Sequence, residues 1–192
     1  MNPRLLSLLL LLPAACVPTP ETPPPLAGST IGGSFALTDG AGRTVTDKSL
    51  GPRWRIMYFG YTSCPDVCPT TAQVIGAAMR RLDTEDAAVA AKVVPVFVTV
   101  DPQRDTPAVA QKFAQTFYPR FVGLSGSPKA VAAAAKAYGV YWSKGETTPG
   151  GGYLVQHTNA AYLMDPDNKP IALLPTDQGA EATADEIKRW VK

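Results

Sequence analysis

Metal-binding and nucleophilic side chains are scarce in this chain: its 192 residues hold one histidine, His157, and three cysteines, Cys16, Cys64 and Cys68. A structural zinc site takes four ligands, so structural zinc is poorly served by so few donors. Charge is thin as well. Only 18% of residues are charged and the formal net charge is +2, whereas nucleic-acid domains gather a strong basic excess on one face. We therefore expect no nucleic-acid partner, and Arg80-Arg81 reads as a solvated helix face. Long apolar runs are missing too. The longest, Leu5 to Leu12, falls well short of the roughly 20 residues that span a bilayer. The hydrophobic share, 45%, is that of a folded globular protein.

That short run follows Arg4 and ends at Pro13-Ala14-Ala15-Cys16, the layout of a basic region, an apolar core and a small-residue cleavage site. Residues 1–15 are expected to be a signal peptide of lipoprotein type and Cys16 the lipidated residue, although Pro13 stands where such signals prefer leucine. Residues 16–28 then form a tether, because Pro18 to Pro25 is a proline-rich stretch and such chain is stiff and extended. Residues 29–192 are long enough for one domain that buries roughly 70% of its unfolded surface without staples.

Within that domain, two short strand-like runs, Ser34 to Asp39 and Arg43 to Thr46, flank a Gly-Ala-Gly turn and read as an N-terminal hairpin. Arg55 to Gly60 and Val93 to Val100 have the length and composition of buried strands. After Pro69, Val74, Ala78 and Leu82 recur with Ile75 and Met79 beside them, an amphipathic helix. Thr106-Pro107 and Ser127-Pro128 are helix starts, since proline at the first helical position gives up an N–H that has no partner anyway. Val109, Phe113 and Phe117 are expected to face inward from the first of these helices, and Val131, Ala135 and Tyr138 from the second, which Gly139 stops. Val140 to Trp142 reads as a short strand, Ser143 to Gly152 as a flexible loop, and Ala160 to Met164 with Ile171 to Leu174 as a second hairpin. Thr183 and Glu186 have the spacing of a capping box opening a final helix. Strands alternating with helices between hairpins predict an α/β sandwich around a central mixed sheet, with no internal repeat.

Chemistry concentrates at Cys64-Pro-Asp-Val-Cys68-Pro69, between a buried strand and an amphipathic helix. A spacing of four brings both sulfurs within about one turn, so they can meet each other or one ion. Pro69 disfavours helical geometry at Cys68, which predicts a tight turn before the helix. A helix N-terminus favours the thiolate. A structural disulfide is the plain alternative in an exported protein, but closing so small a loop restrains the unfolded chain little. Two thiolates suit Cu(I), and imidazole suits copper too, so Cys64, Cys68 and His157 are chemically best matched to copper. Met57, Met79 and Met164 fall on apolar faces and read as core, Tyr58, Phe59 and Tyr61 as core or pocket wall, and Trp54, Trp142 and Trp190 carry no ligand signal. Asp66 reads as a turn residue, Asp105 or Thr106 as a helix cap with Arg104 pairing locally, and Asp101 as a residue supporting the site from behind.

Tyr58-Phe-Gly-Tyr-Thr-Ser-Cys-Pro-Asp-Val-Cys-Pro69, Val100-Asp-Pro-Gln-Arg-Asp-Thr-Pro107 and Gln156-His157-Thr158 ahead of Tyr162-Leu-Met-Asp-Pro166 resemble the Sco/SenC copper chaperones over roughly Gly32 to Trp190. The resemblance implies a thioredoxin-like fold with a hairpin or loop inserted near the metal site, and one copper ion, Cu(I) or Cu(II), on Cys64, Cys68 and His157. It also implies delivery of copper or of reducing equivalents to the copper A centre of cytochrome c oxidase subunit II. Another envelope cuproprotein as recipient and an upstream copper donor are the further expected partners. The expected setting is the bacterial cell envelope, with a monomer tethered to the inner membrane and its domain on the periplasmic side.

Three functions compete. A metallochaperone needs all three side chains, whereas a thiol:disulfide reductase needs Cys64 and Cys68 but can dispense with His157. A thiol peroxidase on the same scaffold would place threonine three residues before its reactive cysteine, where this chain has Tyr61 and Pro65.

Overall fold

The computed structural model describes residues 22–147 and 152–192; Cys16, the signal segment, the first part of the tether and the tip of the glycine-rich loop lie outside the described residues. Among the described residues there are nine strands, β1 (Ala36–Asp39), β2 (Thr44–Thr46), β3 (Trp54–Gly60), β4 (Val93–Thr99), β5 (Val122–Ser125), β6 (Trp142–Thr147), β7 (Tyr153–His157), β8 (Ala161–Met164) and β9 (Pro170–Leu173). The helices are α1 (Val67–Glu85), α2 (Ala87–Lys92), α3 (Pro107–Phe117), α4 (Pro128–Ala137) and α5 (Ala180–Trp190).

Seven strands form one mixed sheet in the order β2-β1-β5-β4-β3-β8-β9. The central strands β3, β4 and β5 run parallel and the flanking β1 and β8 antiparallel. Parallel strands are covered on both faces, and β3 and β4 are accordingly buried almost throughout. Ile56 and Tyr58 of β3 face α1, α3 and α5 through Ile75, Met79, Leu82, Ala110, Ala114 and Ile187. Met57 and Phe59 face the other way, onto Val131, Ala134 and Ala135 of α4. This is the thioredoxin-like α/β sandwich expected, with Met57, Met79 and Met164 wholly buried in it. Close packing of α3 on β5 depends on Gly123, where a Cβ would lie 2.3 Å from the Ala110 carbonyl oxygen. The chain joins the sheet early, for the Leu26 amide donates to Ile171 O at 3.0 Å.

The N-terminal hairpin, the second hairpin and both proline-started helices form as predicted. The Thr106 and Ser127 side chains accept from the amides of Val109 and Ala130, and Gly139 adopts φ 65° after α4. Four local readings need correction. Helix α1 begins at Val67, so Cys68 lies in its first turn and not in a preceding turn; Pro69 is tolerated there because first-turn N–H groups have no helical acceptor. Part of the expected loop is strand: β6 runs to Thr147 and pairs antiparallel with β7, a non-local pairing that glycine-rich composition conceals. Thr183 is no cap, since α5 starts at Ala180 and the buried Thr183 hydroxyl donates to Gly179 O one turn earlier. Val109 is exposed, and the buried face of α3 is made by Ala110 and Ala114 with Phe113 and Phe117 packed beside them.

Candidate metal and redox centre

The site lies at the C-terminal end of β3, where open α/β sheets place their ligands. Strand β3 ends at Gly60, and its missing side chain leaves room for Cys68: a Cβ there would come within 3.2 Å of both Cys68 Sγ and Phe97 Cε2. The loop that follows carries Cys64, which is partly exposed, and α1 begins with the buried Cys68. Both thiols are free. Cys64 Sγ accepts the amide of Cys68 at 3.4 Å, so the first sulfur sits over the open end of the helix.

His157 closes the centre from β7, 89 residues along the chain, with Nε2 3.1 Å from Cys68 Sγ. Its Nδ1 lies 3.0 Å from Thr158 O. A carbonyl only accepts, so Nδ1 carries the proton and the Nε2 lone pair faces the sulfur. Burial, opposed in part by that carbonyl, holds the imidazole pKa below its ordinary value. Burial pushes the Cys68 thiol up to about 12, against a Tyr61 backbone hydrogen bond that lowers it and the Cys64 side chain that raises it further. The resting pair is thus a neutral thiol facing the lone pair of a neutral imidazole, with the Cys64 sulfur a second acceptor for the same proton. Cys64 differs: burial alone would raise its pKa, but hydrogen bonds from the Asp66 amide, the Cys68 side chain and amide, and Tyr61 outweigh it and bring it below the ordinary thiol value. One sulfur is therefore partly exposed and thiolate-prone, the other buried and protonated.

The surrounding residues fix this geometry. The Tyr61 ring stands perpendicular to His157 with centroids 5.9 Å apart. The Tyr58 hydroxyl and the Thr71 hydroxyl both donate to Asn159 Oδ1, at 3.2 and 3.3 Å, tying the segment after His157 to β3 and α1. Asp105 is fully buried and accepts from the Thr62 amide (2.9 Å), the Thr62 hydroxyl (2.6 Å) and the Thr99 hydroxyl (2.6 Å), so it anchors the cysteine loop to the end of β4. The helix cap is Thr106 and not Asp105. Arg104 does pair locally, with Asp101, whose other oxygen accepts the Tyr153 hydroxyl at 2.7 Å. Asp101 touches none of the three candidate ligands; it acts on β7. Asp66 occupies the N-cap position of α1 without a side-chain cap bond. Sequence reasoning brought together Cys64, Cys68 and His157 but missed Asn159, the anchoring role of Asp105, and the clasp of Arg104 on Tyr153. The Asp-Pro-x-Arg-Asp-Thr-Pro motif flagged two of these positions without revealing their contacts.

As to a metal, the donor set is right and the arrangement incomplete. Two sulfurs and an imidazole nitrogen suit a soft ion, yet among the described residues no three Cys, His, Asp or Glu side chains already converge on one point. Nor is any helix among the described residues long and apolar enough to cross a membrane.

A sandwich with a cysteine pair where β3 meets α1, and a histidine delivered by an added ribbon, defines a thioredoxin-like protein with a thiol–imidazole centre. The SCO1/SenC family model matches residues 24–192, and the chain belongs to that family. Among its relatives, the mitochondrial SCO2 homolog of Homo sapiens is 37% identical over 157 residues, 82% of this chain and 58% of that protein. The mitochondrial SCO1 homolog 1 of Arabidopsis thaliana is 36% identical over 169 residues, 88% of this chain and 49% of that one. This chain thus spans about half to three fifths of those relatives' length. Bradyrhizobium japonicum ScoI, solved with copper bound, is 41% identical with a TM-score of 0.75 over 83% of this chain and 99% of that one.

Proposed function

We propose that this protein is a copper metallochaperone in which Cys64, Cys68 and His157 take up one copper ion as cargo and pass it to the copper A centre of cytochrome c oxidase subunit II. The observation that carries the reading is the approach of His157 Nε2 to Cys68 Sγ at 3.1 Å, with the tautomer set to leave a lone pair on Nε2. The copper bound by the Bradyrhizobium and Arabidopsis ScoI structures supports it. Uptake displaces the Cys68 proton, since a thiolate is the ligand, and turns Cys64 Sγ from the Cys68 amide toward the pair. Partial exposure of Cys64 leaves one side open for an acceptor's thiols. Asp101 supports the ligands from behind through Tyr153. We infer further that residues 1–15 are a signal peptide, that Cys16 bears a lipid and residues 16–28 tether domain 29–192 on the periplasmic side of a bacterial inner membrane. Radiolabelled palmitate should enter the parent and not Cys16→Ser.

The test is a titration of the reduced protein with Cu(I) and with Cu(II), beside Cys64→Ser, Cys68→Ser and His157→Ala. We expect one tight equivalent, lost or greatly weakened in all three variants. A parent that binds no copper, or a His157→Ala variant that binds like the parent, defeats the reading.

A second reading rests on the contrast between the two thiols. As a reductase, the Cys64 thiolate would attack a partner's disulfide, forming a mixed disulfide and releasing one partner thiolate. Cys68, on losing its proton, would attack the Cys64 sulfur, leaving the partner reduced by two electrons and a Cys64–Cys68 disulfide behind. Retention of this exchange in His157→Ala, with copper binding gone, would establish both capacities.

A further inference from the structure

His157 reaches the cysteines from a ribbon that does not belong to the main sheet. Among the described residues, strands β6 and β7 pair only with each other, as a separate two-stranded sheet, and His157 is the last residue of β7. With the chain just after His157 tied through Asn159 to Tyr58 and Thr71, what fastens the other end of β7 sets the remaining freedom of the imidazole. That end is Tyr153, and it is gripped on several sides. The Arg104 guanidinium lies 3.7 Å from the centre of the Tyr153 ring, and its Nη1 donates to the Tyr153 carbonyl at 2.9 Å. The Tyr153 hydroxyl donates to Asp101 at 2.7 Å, while the second oxygen of Asp101 takes Arg104 Nε. Asp101 is itself buried, 5% exposed, and its amide donates to the Thr99 hydroxyl at the end of β4. The same guanidinium stands 5.6 Å from the Tyr61 ring, which packs perpendicular to His157. Lys144 Nζ lies 4.0 Å from the Tyr153 ring.

We propose that Arg104, with Asp101 and Tyr153, is a clasp that positions His157 against Cys68 and thereby sets copper affinity; the inference rests on His157 being a copper ligand, as argued above. Tyr153 and His157 are four residue steps apart along the strand, about 13 Å at the usual rise. A tilt of only about 5° at Tyr153 would move the imidazole by about 1 Å, beyond the few tenths of an ångström a metal–nitrogen bond tolerates. A planar guanidinium is suited to this task, because it stacks on the ring and donates to carbonyl and carboxylate at once, which an ammonium cannot do.

The experiment is a mutant cycle on the full chain. Arg104→Met, Arg104→Lys and Tyr153→Phe are made alone and in the His157→Ala background, and copper affinity is measured by competition with a chelator. Arg104→Met should weaken binding 10- to 100-fold, the range found when groups behind metal ligands are removed, with Tyr153→Phe milder. In the His157→Ala background the same substitutions should change affinity less than twofold. In the metal-free protein, Arg104→Met should speed amide exchange of residues 153–157 at least tenfold and leave β3 and β4 protected. Nitrogen hyperfine structure in the Cu(II) resonance spectrum should diminish in Arg104→Met. Parent-like affinity in Arg104→Met, an equal loss with His157 absent, or unchanged exchange in β7 would overturn the clasp. If Arg104→Met alone binds like the parent while His157→Ala loses copper, the clasp falls and the copper site stands; if His157→Ala binds like the parent, both fall.

Discussion

Replacing Asp105 with alanine should destabilise this protein more than any surface change and should do so through the cysteine loop. Its carboxylate is fully buried and receives three donors: the Thr62 amide at 2.9 Å, and the hydroxyls of Thr62 and Thr99 at 2.6 Å each. Hydrogen bonds to a charged acceptor contribute about 1.5–3 kcal/mol each, and a buried donor left without a partner costs about 1–3 kcal/mol. The three share one acceptor and are not additive, so we expect a loss of about 3–5 kcal/mol for Asp105→Ala, a large fraction of the 5–15 kcal/mol typical of a domain. For a chain of this size that corresponds to a fall in Tm of roughly 6–20 °C. Asp105→Asn keeps one oxygen for the Thr62 and Thr99 donors, and its amide can donate to the Thr62 hydroxyl, so its cost should be nearer about 1–2 kcal/mol. Urea denaturation followed by circular dichroism reads both, as a shift in midpoint with the slope unchanged. Alanine within about 1 kcal/mol of the parent, or alanine and asparagine indistinguishable, would refute the reasoning that this carboxylate anchors the loop through charge-assisted bonds.

Three further outcomes follow from the geometry. In the reduced protein iodoacetamide should modify Cys64 well before Cys68, and at a pH lower than an ordinary thiol requires, because the Cys64 pKa is lowered while that of Cys68 is raised to about 12; mass mapping that finds Cys68 labelled first, or both equally, contradicts this. Gly123→Ala should lower the unfolding free energy by about 3 kcal/mol, read as a lower urea midpoint, since its Cβ would stand 2.3 Å from the Ala110 carbonyl oxygen and backbone must move; an unchanged midpoint would show that α3 is not held closely on β5. Asp39 accepts the amides of Ala41 and Arg43 and the Arg43 side chain, and although burial works against it these bonds hold its pKa below the usual carboxylate value. Its contribution is therefore complete above the unfolded-state pKa of about 4 and is lost as pH falls through the lower folded value. The stability gap between parent and Asp39→Asn should be full at pH 7 and close in acid, and a gap that widens in acid contradicts the sign.

Local signals carried much of this architecture. Thr106-Pro107 and Ser127-Pro128 started helices where expected because a cap acts within three residues, and the buried strands β3 and β4 are visible as apolar runs. Where such a signal had a close competitor it misled. Thr183 has the spacing of a capping residue, yet α5 begins three residues earlier and the Thr183 hydroxyl donates to the Gly179 carbonyl within the helix. Pro69 argued against helix at Cys68, but the first turn has no amide acceptor to lose there.

The sequence by itself determined the reactive inventory: two sulfurs four residues apart between a strand and a helix, and a single imidazole to serve with them. Spacing is a local property, and four residues from the loop into the first turn of α1 are too short a stretch to part the two sulfurs far. Only the tertiary structure decided the rest. Pairing of β6 with β7 brings His157 within 3.1 Å of a cysteine 89 residues away. Burial then raises the pKa of one thiol while hydrogen bonds lower that of the other, so two chemically identical groups part into one that holds its proton and one that ionises more readily. The Asp101 and Arg104 grip on Tyr153 belongs to the same class of facts, because contacts between distant segments follow from how sheets and ribbons pack and leave no periodic trace in the chain.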